Sequence, residues 1–235
     1  MVPIACGLCS ICGERLPDTV VSSFPEDHVL CELCRRHQPP FVKATAYGSY
    51  EGGLRELIHL LKYDQIRPAA NLLGRMLADA IGDLQPLLSI GACLVVPVPL
   101  HARKLRQRGF NQAELIARAA MKLIADPNFR LAPEILERCR ETQSQIGLSR
   151  HQRRENMRGA FAVVEEQAVA GKQILVVDDV FTTGTTVSEC ARVLRRAGAS
   201  KVYVATVART LKFEVQSAKP LVEAEDTLAM AAATS

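Results

Sequence analysis

The amino-acid sequence predicts an α/β protein with a mostly parallel sheet, preceded by a small cysteine-rich module. The apolar, β-branched run at 174–177 is typical of a buried central strand. A helix and a second strand follow it with short connections, which predicts a βαβ unit. Five of the eight cysteines lie in the first 34 residues, and this clustering predicts the module. A chain of 235 residues has room for one substantial domain and such an appendage.

The other elements are predicted from apolar spacing, capping residues and turn residues. In chain order they are a strand at 44–50, helices through 54–61 and 72–80, a strand at 94–96 that ends in Pro97-Val98-Pro99, a helix from Asn111 to about 124, a helix from about Thr185 to Gly198, and a strand at 201–208. We therefore expect the α/β domain to span 44–213, with the cysteine module at 1–43. The acidic, Ala-rich segment 214–235 is predicted to be a disordered tail.

Composition and charge exclude some classes of protein. With 48% hydrophobic and 23% charged residues, the chain is neither collagen-like nor disordered as a whole. The apolar stretch 91–100 contains two prolines and is well short of the ~20 residues of a membrane span. The first ten residues lack the positive and apolar regions of a signal peptide, so we expect a cytoplasmic protein. The net charge of +4 is too small to indicate a partner.

The cysteine pattern predicts a structural zinc site. Two pairs have the spacing of zinc ligands, and 18 residues separate them: Cys9 with Cys12, and Cys31 with Cys34. Cys6-x-x-Cys9 has the same spacing and is the alternative. Gly13, directly after Cys12, favours the Cys9/Cys12 pair because glycine suits the left-handed residue of such a turn. Four thiolates leave no coordination position for a substrate, so the zinc would stabilise a zinc-ribbon-like module.

The residues with the clearest chemistry follow the strand at 174–177. Asp178 and Asp179 come at its carboxyl end, where open α/β sheets bind ligands. A hydroxyl-rich loop that opens a helix comes next: Thr182, Thr183, Gly184, Thr185 and Thr186. Backbone N–H groups at a helix start bind phosphate, and Gly184 allows close approach of the anion. Capping alone would explain an isolated Thr-rich turn, but the strand and the carboxylates before it favour a ligand site.

The neighbouring carboxylates restrict the kind of ligand. They would repel a bare anion, but they fit a ligand that also presents sugar hydroxyls or a bound magnesium ion. Phosphoribosyl pyrophosphate combines a 5′-phosphate, a ribose diol and a metal-bound diphosphate. The sequence therefore predicts that this loop binds phosphoribosyl pyrophosphate with Mg²⁺.

Segment 176–186 closely resembles the phosphoribosyl-pyrophosphate signature of the type I phosphoribosyltransferases. Two further stretches resemble the ComF family, a competence-associated branch that includes GntX-like proteins. The first is Val96-Pro97-Val98-Pro99 followed by Arg108-Gly109-Phe110-Asn111-Gln112. The second is Arg140-x-Thr142-x-x-Gln145-x-x-Leu148 followed by Arg153-x-x-Asn156-x-x-x-Ala160-Phe161. Members of the family also have an N-terminal four-cysteine zinc module, so the resemblance covers about residues 6–213.

The resemblance implies a type I phosphoribosyltransferase fold and a role for each matched residue. Asp178 and Asp179 would be the catalytic pair on the ribose diol, directly or through magnesium, and loop 182–186 would hold the 5′-phosphate. The residues expected at the diphosphate or in a flexible loop that closes over the site are Pro97, Val98, Pro99, Arg103, Lys104, Arg108, Asn111, Gln112, Thr142, Gln145, Arg153 and Asn156.

Two functions of different classes follow. The protein is predicted to be an enzyme that transfers phosphoribose to an acceptor that the sequence does not identify. The alternative is a ligand-binding module that handles single-stranded DNA during transformation, as the resemblance to competence proteins implies. Segment 100–110 has four Lys/Arg and no acid, which suits a diphosphate or a nucleic-acid backbone. The nearby aromatic candidates for base stacking are Phe110 and Phe161, and the alternative is that both are core residues.

Overall fold

The computed structural model describes residues 7–16, 29–88, 91–142 and 149–211. Its elements, in chain order, are helix α1 (Glu32–Arg36), strand β1 (Ala44–Ser49), helices α2 (Gly52–Lys62) and α3 (Ala69–Gly82), a 3-10 turn (Gln85–Leu87), strand β2 (Cys93–Pro97), helices α4 (Ala102–Arg108) and α5 (Gln112–Ile124), strands β3 (Phe129–Leu131) and β4 (Leu136–Glu137), helix α6 (Arg150–Met157), strand β5 (Ala162–Val163), helix α7 (Glu166–Val169), strand β6 (Gln173–Phe181), helix α8 (Thr185–Arg196) and strand β7 (Lys201–Arg209).

Five strands form one parallel sheet in the order β1-β7-β6-β2-β3. β6 occupies the centre, and its Val176 pairs with Val96 of β2 and with Val204 of β7. β4 and β5 form a separate antiparallel pair. The structure confirms the predicted parallel α/β sheet.

The central strand is apolar because both of its faces are covered. Ile174 and Val176 pack into a core cluster shared with α8 and the cysteine module. Leu175 and Val177 pack on the other face, into a cluster shared with α2, α3 and α5. All four side chains are buried, so the alternation of the strand places one apolar residue against each layer in turn.

The cysteine module, seen here as residues 7–16 and 29–38, packs directly on the sheet. Its cysteines belong to the same core cluster as α8. The main-chain N–H of Ala44, the first residue of β1, donates to the carbonyl of Ile11 at 2.7 Å. Val42 donates to the carbonyl of Val202 in β7 at 2.8 Å. The module and the sheet therefore share one hydrophobic core.

The predicted elements differ from the observed ones mainly in length. β6 continues to Phe181 instead of ending at 177, because β7 pairs with it as far as Arg209. Asn111 caps α5 as predicted, accepting a hydrogen bond from the N–H of Ala113 at 3.1 Å. The predicted tail at 214–235 lies outside the described residues. In the part of the chain that is described, no helix has the length and apolar character that a membrane span requires.

Candidate functional site

The carboxyl edge of the sheet opens beside Asp178 and Asp179. β2 ends at Pro97, which pairs with Val177, while β7 continues along the other side of β6. The two aspartates therefore lie at the predicted edge, although inside β6 and not after it. Crevices at this edge of parallel sheets are the usual place for ligands in α/β proteins.

The two carboxylates have different environments. Asp179 is 4% exposed, and its Oδ2 lies 2.7 Å from Nζ of Lys62 at the end of α2. Oδ1 of Asp178 accepts a hydrogen bond from the N–H of Asp179 at 2.9 Å. Burial, together with the negative charge of Asp179, raises the pKa of Asp178 to about 7. The site thus places two carboxylates against one paired ammonium group.

Lys62 stays protonated although it is shielded from water. Burial alone would lower the pKa of its ammonium group, but the Asp179 carboxylate outweighs that effect and the pKa is raised above its ordinary value. The Lys62–Asp179 ion pair is therefore present at neutral pH.

The hydroxyl-rich loop connects β6 to the start of α8. Gly184 has φ of +74° and precedes the first residue of the helix without a side-chain cap. The hydroxyls of Thr183 and Thr185 lie 2.8 Å apart, close enough to contact one phosphate together. Thr182 is exposed, and Thr186 is half-buried. Uncapped N–H groups at a helix start and paired hydroxyls suit an anionic group.

The predicted diphosphate loop begins at Pro97 and lies beside the carboxylates. Some of the residues predicted to act there make hydrogen bonds that fix the loop and its neighbours in place. The N–H of Val98 donates to the carbonyl of Val177 at 2.8 Å, and the carbonyl of Val98 accepts from Nδ2 of Asn111 at 3.0 Å. Oε1 of the buried Gln112 accepts from Nη1 of Arg108 at 2.5 Å. Asn111 and Gln112 therefore hold the Pro97–Pro99 turn and the Arg108 side chain in place.

Two of the cations predicted at the diphosphate, Arg103 and Lys104, lie on α4 and have different surroundings. Arg103 is exposed, and its Nη1 lies 3.2 Å from Oε1 of Glu141. Lys104 is exposed at the surface, but partial desolvation and the positive charges of Arg138 and Arg108 lower the pKa of its ammonium group, and the charge of Asp179 also acts on it. Lys104 is thus better placed than Arg103 to act on a ligand at this edge.

Sequence reasoning did not assign Lys62 to the site, and it predicted Arg138 only as part of an arginine-rich segment, 138–158, that borders the cleft. The guanidinium of Arg138 lies 5.4 Å from the centroid of the Phe161 ring, and its charge partly offsets the rise in the pKa of Asp178. The sequence signals were weak: a lysine at the end of an amphipathic helix and one arginine in an Arg-rich run. The rings of Phe110 and Phe161 are both buried. Their burial agrees with the alternative that both rings belong to the core, and neither is available for base stacking.

The side chains of Arg138 and Arg140 hold segment 138–142 in place. Nη2 of Arg138 donates to Oγ1 of Thr142. Nη2 of Arg140 donates to the carbonyls of Asn156 at 2.7 Å and Arg158 at 2.9 Å. These contacts tie 138–142 to the end of α6, the helix that also carries Arg153. Gln145 lies outside the described residues.

A second site is formed by four buried cysteines whose Sγ atoms all lie within 4.8 Å of one another: Cys9, Cys12, Cys31 and Cys34. The Sγ atoms of Cys12 and Cys31 are 3.7 Å apart. The N–H of Cys34 donates to Sγ of Cys31 at 3.4 Å. Gly13 has φ of +67°. This is the left-handed conformation predicted for the residue directly after Cys12. Cys6, the alternative ligand, lies outside the described residues.

Comparison with known proteins identifies relatives that match most of the chain. A family model described as "Phosphoribosyl transferase domain" matches residues 129–225. The chain is 33% identical over 215 residues to "DNA utilization protein YhgH" of Escherichia coli (strain K12), covering 87% of this chain and 91% of that protein. It is 30% identical over 215 residues to "Competence protein F" of Haemophilus influenzae, covering 86% and 90%.

A more distant relative is "Competence protein ComFC" of Bacillus subtilis, at 23% identity over 197 residues, covering 81% of this chain and 72% of that protein. The first two relatives match 87% and 86% of the chain, which is more than residues 44–235 contain, so the likeness to them includes residues of the cysteine module as well as the sheet. This agrees with the shared core of the two parts. The chain belongs to the ComF family, the competence-associated proteins that join a four-cysteine module to a type I phosphoribosyltransferase fold.

Proposed function

We propose that this protein binds phosphoribosyl pyrophosphate with magnesium in the cytoplasm and transfers the phosphoribosyl group to an acceptor. One observation carries the proposal. The carboxylate pair of Asp178 and Asp179 stands directly before a loop in which Gly184 opens a helix. The helix start suits a 5′-phosphate, and the carboxylates suit ribose hydroxyls. The match to a phosphoribosyl transferase domain supports the same ligand.

The charge of the site fits a ligand that brings magnesium. Asp179 pairs with the ammonium group of Lys62, and the charge of Arg138 acts on Asp178. The pKa of Asp178 is raised first by burial and then by the negative charge of Asp179, which Lys62 and Arg138 offset only in part. Carboxylate oxygens are preferred ligands of Mg²⁺, together with water and substrate phosphates. The two aspartates would hold the magnesium of phosphoribosyl pyrophosphate or accept hydrogen bonds from its ribose hydroxyls.

In the proposed reaction, the bond between ribose C1′ and a diphosphate oxygen breaks, and its electron pair leaves with the diphosphate. A lone pair of the acceptor forms the new bond to C1′, and the acceptor loses a proton. The residues of the chain position the ligand and offset charge. Loop 182–186 holds the 5′-phosphate, the aspartates orient the ribose, and Lys104 and Arg138 stabilise the leaving diphosphate.

Isothermal titration calorimetry tests the proposal, with phosphoribosyl pyrophosphate and magnesium titrated into wild type and into the Asp178→Asn/Asp179→Asn variant. We expect binding to wild type and none to the variant, whose fold is checked by circular dichroism. The control Asp64→Asn/Asp83→Asn removes the same charge from exposed positions and should bind normally. No binding to folded wild type, or equal binding by the Asp178/Asp179 variant, overturns the proposal.

We further propose that the four-cysteine cluster holds a structural zinc ion. With Zn–S bonds of about 2.3 Å, two thiolates of a tetrahedral site lie about 3.8 Å apart. The Cys12–Cys31 distance of 3.7 Å fits this value. The donor set is all sulfur and buried, which suits zinc and leaves no open position for catalysis.

Single-stranded DNA handling is a second candidate function, favoured by a surface beside the site. Tyr63 is 63% exposed, and the guanidinium of Arg108 lies 5.9 Å from the centroid of its ring. Exposed cations lie on the same helix as Arg108: Arg103, Lys104 and Arg106. An exposed aromatic ring beside basic residues suits stacked bases and a phosphate backbone. The printed names of the relatives refer to DNA utilization and competence.

Fluorescence anisotropy with labelled oligothymidine at several salt concentrations tests this second function. Replacing Arg103, Lys104 and Arg106 by Gln should reduce the slope of log K against log salt by about 2, since each phosphate contact contributes roughly 0.7 on single strands. The control replaces three exposed lysines, Lys122, Lys172 and Lys201. An unchanged slope in the α4 variant shows that DNA does not follow this helix.

A further inference from the structure

Arg209 connects the cysteine module to the carboxyl edge of the sheet. It is the last residue of β7 and only 3% exposed. Its guanidinium pairs with Glu14 at 3.0 Å and donates to the carbonyl of Cys12, and Nη2 lies 3.7 Å from Sγ of Cys12. A buried guanidinium needs partners for its charge and its N–H groups. Arg209 takes these partners from the module.

The same guanidinium also supports an aromatic ring. It lies 4.4 Å from the centroid of the Phe181 ring, because the register of β6 and β7 places Phe181 opposite Arg209. The Phe181 ring is buried and packs edge to face against Phe41, with centroids 6.3 Å apart. A cation–π contact shielded from water is stronger than the same contact at an exposed position. The position of the ring therefore depends on the position of Arg209.

The Phe181 ring in turn lies under the phosphate loop. A Cβ atom built on Gly184 would lie 2.5 Å from Cζ of Phe181, so the loop backbone packs directly on the ring. Contacts thus run without a gap from Cys12 through Arg209 and Phe181 to Gly184. All four residues line a cavity of about 320 Å³ between the module and α8. Because this cavity adjoins the phosphate loop, the Phe181 ring and the Arg209 guanidinium are the groups that support the loop on this side.

We propose that Arg209 is a positioning residue through which the metal-loaded cysteine cluster holds the phosphate loop in its binding conformation. When the cluster loses its metal, the backbone at Cys12 relaxes and the Arg209 guanidinium moves with its partners. Phe181 then no longer holds Gly184 in place. The module would thereby set the affinity of the phosphate site through Arg209 and Phe181. For the identity of the ligand, this inference rests on the function proposed above.

Amide hydrogen exchange of 182–188 tests the contact path without any ligand. The full chain is measured zinc-loaded and after chelation under reducing conditions. We expect chelation to raise loop exchange in wild type. In Arg209→Met, exchange is already raised in the zinc-loaded protein, and chelation adds little. The variant Phe181→Leu should behave in the same way, and it tests the path even if Arg209→Met does not fold.

A matched control removes an arginine from the other end of α8. Arg195 donates to the carbonyls of Ala199 and Ser200, so Arg195→Met perturbs the same helix away from the loop. Its response to chelation should equal that of wild type. Loop exchange that does not change when wild type is chelated, while exchange in the module rises, overturns the inference.

Affinity measurements separate this inference from the proposed function. Ribose 5-phosphate and phosphoribosyl pyrophosphate should bind roughly ten-fold more weakly to Arg209→Met and to chelated wild type. Chelation should not weaken Arg209→Met further, because both changes act on the same contacts. Magnesium diphosphate, which lacks the 5′-phosphate, should bind all forms equally. Additive losses overturn the inference. If wild type binds no phosphoribosyl pyrophosphate, the proposed function fails and the exchange experiment still decides the role of Arg209.

Discussion

Nζ of Lys62 lies 2.7 Å from Oδ2 of Asp179, and this ion pair joins the end of α2 to the carboxyl part of β6. The side chains are 17% and 5% exposed, so neither charge is well solvated. A ligand that uses Asp179 must share this carboxylate with Lys62 or displace the ammonium group. The ion pair therefore stabilises the empty site and competes with the ligand for the same oxygen.

The first prediction concerns this ion pair. Lys62→Met leaves Asp179 buried without its ammonium partner, and we expect the free energy of unfolding at pH 8 to fall by about 3 kcal/mol. The loss should be smaller at pH 5, because Asp178, whose pKa is raised to about 7, is protonated there and the site carries less unpaired negative charge. Urea unfolding at the two pH values measures both effects. Lys62→Arg keeps the charge and serves as the control, and an equal loss at both pH values contradicts the prediction.

A second prediction follows from Asp178, whose pKa of about 7 exceeds its ordinary value of 3.8. Between these two values the unfolded chain has released this proton and the native protein still holds it, so stability falls as pH rises. The full contribution is present below about pH 4 and is lost as pH passes 7. We expect this loss to reach roughly 3–4 kcal/mol at most.

Asp178→Asn removes this titration while leaving the other ionisable groups in place. Its free energy of unfolding, measured in parallel with that of wild type, should rise relative to wild type as the pH increases from 4 to 8. A difference between the two proteins that stays constant over this range shows that Asp178 titrates near its ordinary pKa.

A third prediction concerns Gly184, where Ala meets two obstacles. The φ of +74° disfavours any side chain, and the new Cβ would lie 2.5 Å from the Phe181 ring. Gly159→Ala is the matched control, because Gly159 has φ of +66° with nothing within 4 Å of its Cβ position. We expect about 1 kcal/mol of destabilisation in the control and a further 1–3 kcal/mol in Gly184→Ala. Thermal unfolding and titration with phosphoribosyl pyrophosphate measure the two effects.

The fourth prediction concerns the metal. Cys9→Ser should release zinc, since removal of one of four thiolates opens the coordination shell. Zinc content is measured by inductively coupled plasma mass spectrometry on the purified full chain. Cys139→Ser is the control, because Cys139 is exposed and is not one of the four clustered cysteines. Full zinc retention by Cys9→Ser would move the site to a set that includes Cys6.

Features that depend on short stretches of chain were predictable from the sequence. The apolar run 174–177, the helix that Asn111 caps and the left-handed turn at Gly13 all depend on neighbouring residues. The two Cys-x-x-Cys pairs likewise contain their own turns, and the structure places their sulfurs together. In each case local backbone geometry sets the spacing of the functional groups, so the spacing of residues along the chain is enough to predict them.

The partners of the charged groups were decided by the tertiary structure. Lys62 reaches Asp179, and Arg209 reaches Cys12 across a separation of 197 residues. No local pattern indicates such pairs, because packing of distant elements sets them and because a surface charge and a buried one look alike in a sequence. The guanidinium of Arg103 pairs with Glu141, 38 residues away, which is another contact that no local pattern indicates. The residue types of the site were therefore readable from the sequence, whereas burial and long-range contact determine which charges are paired and how strongly each holds its proton.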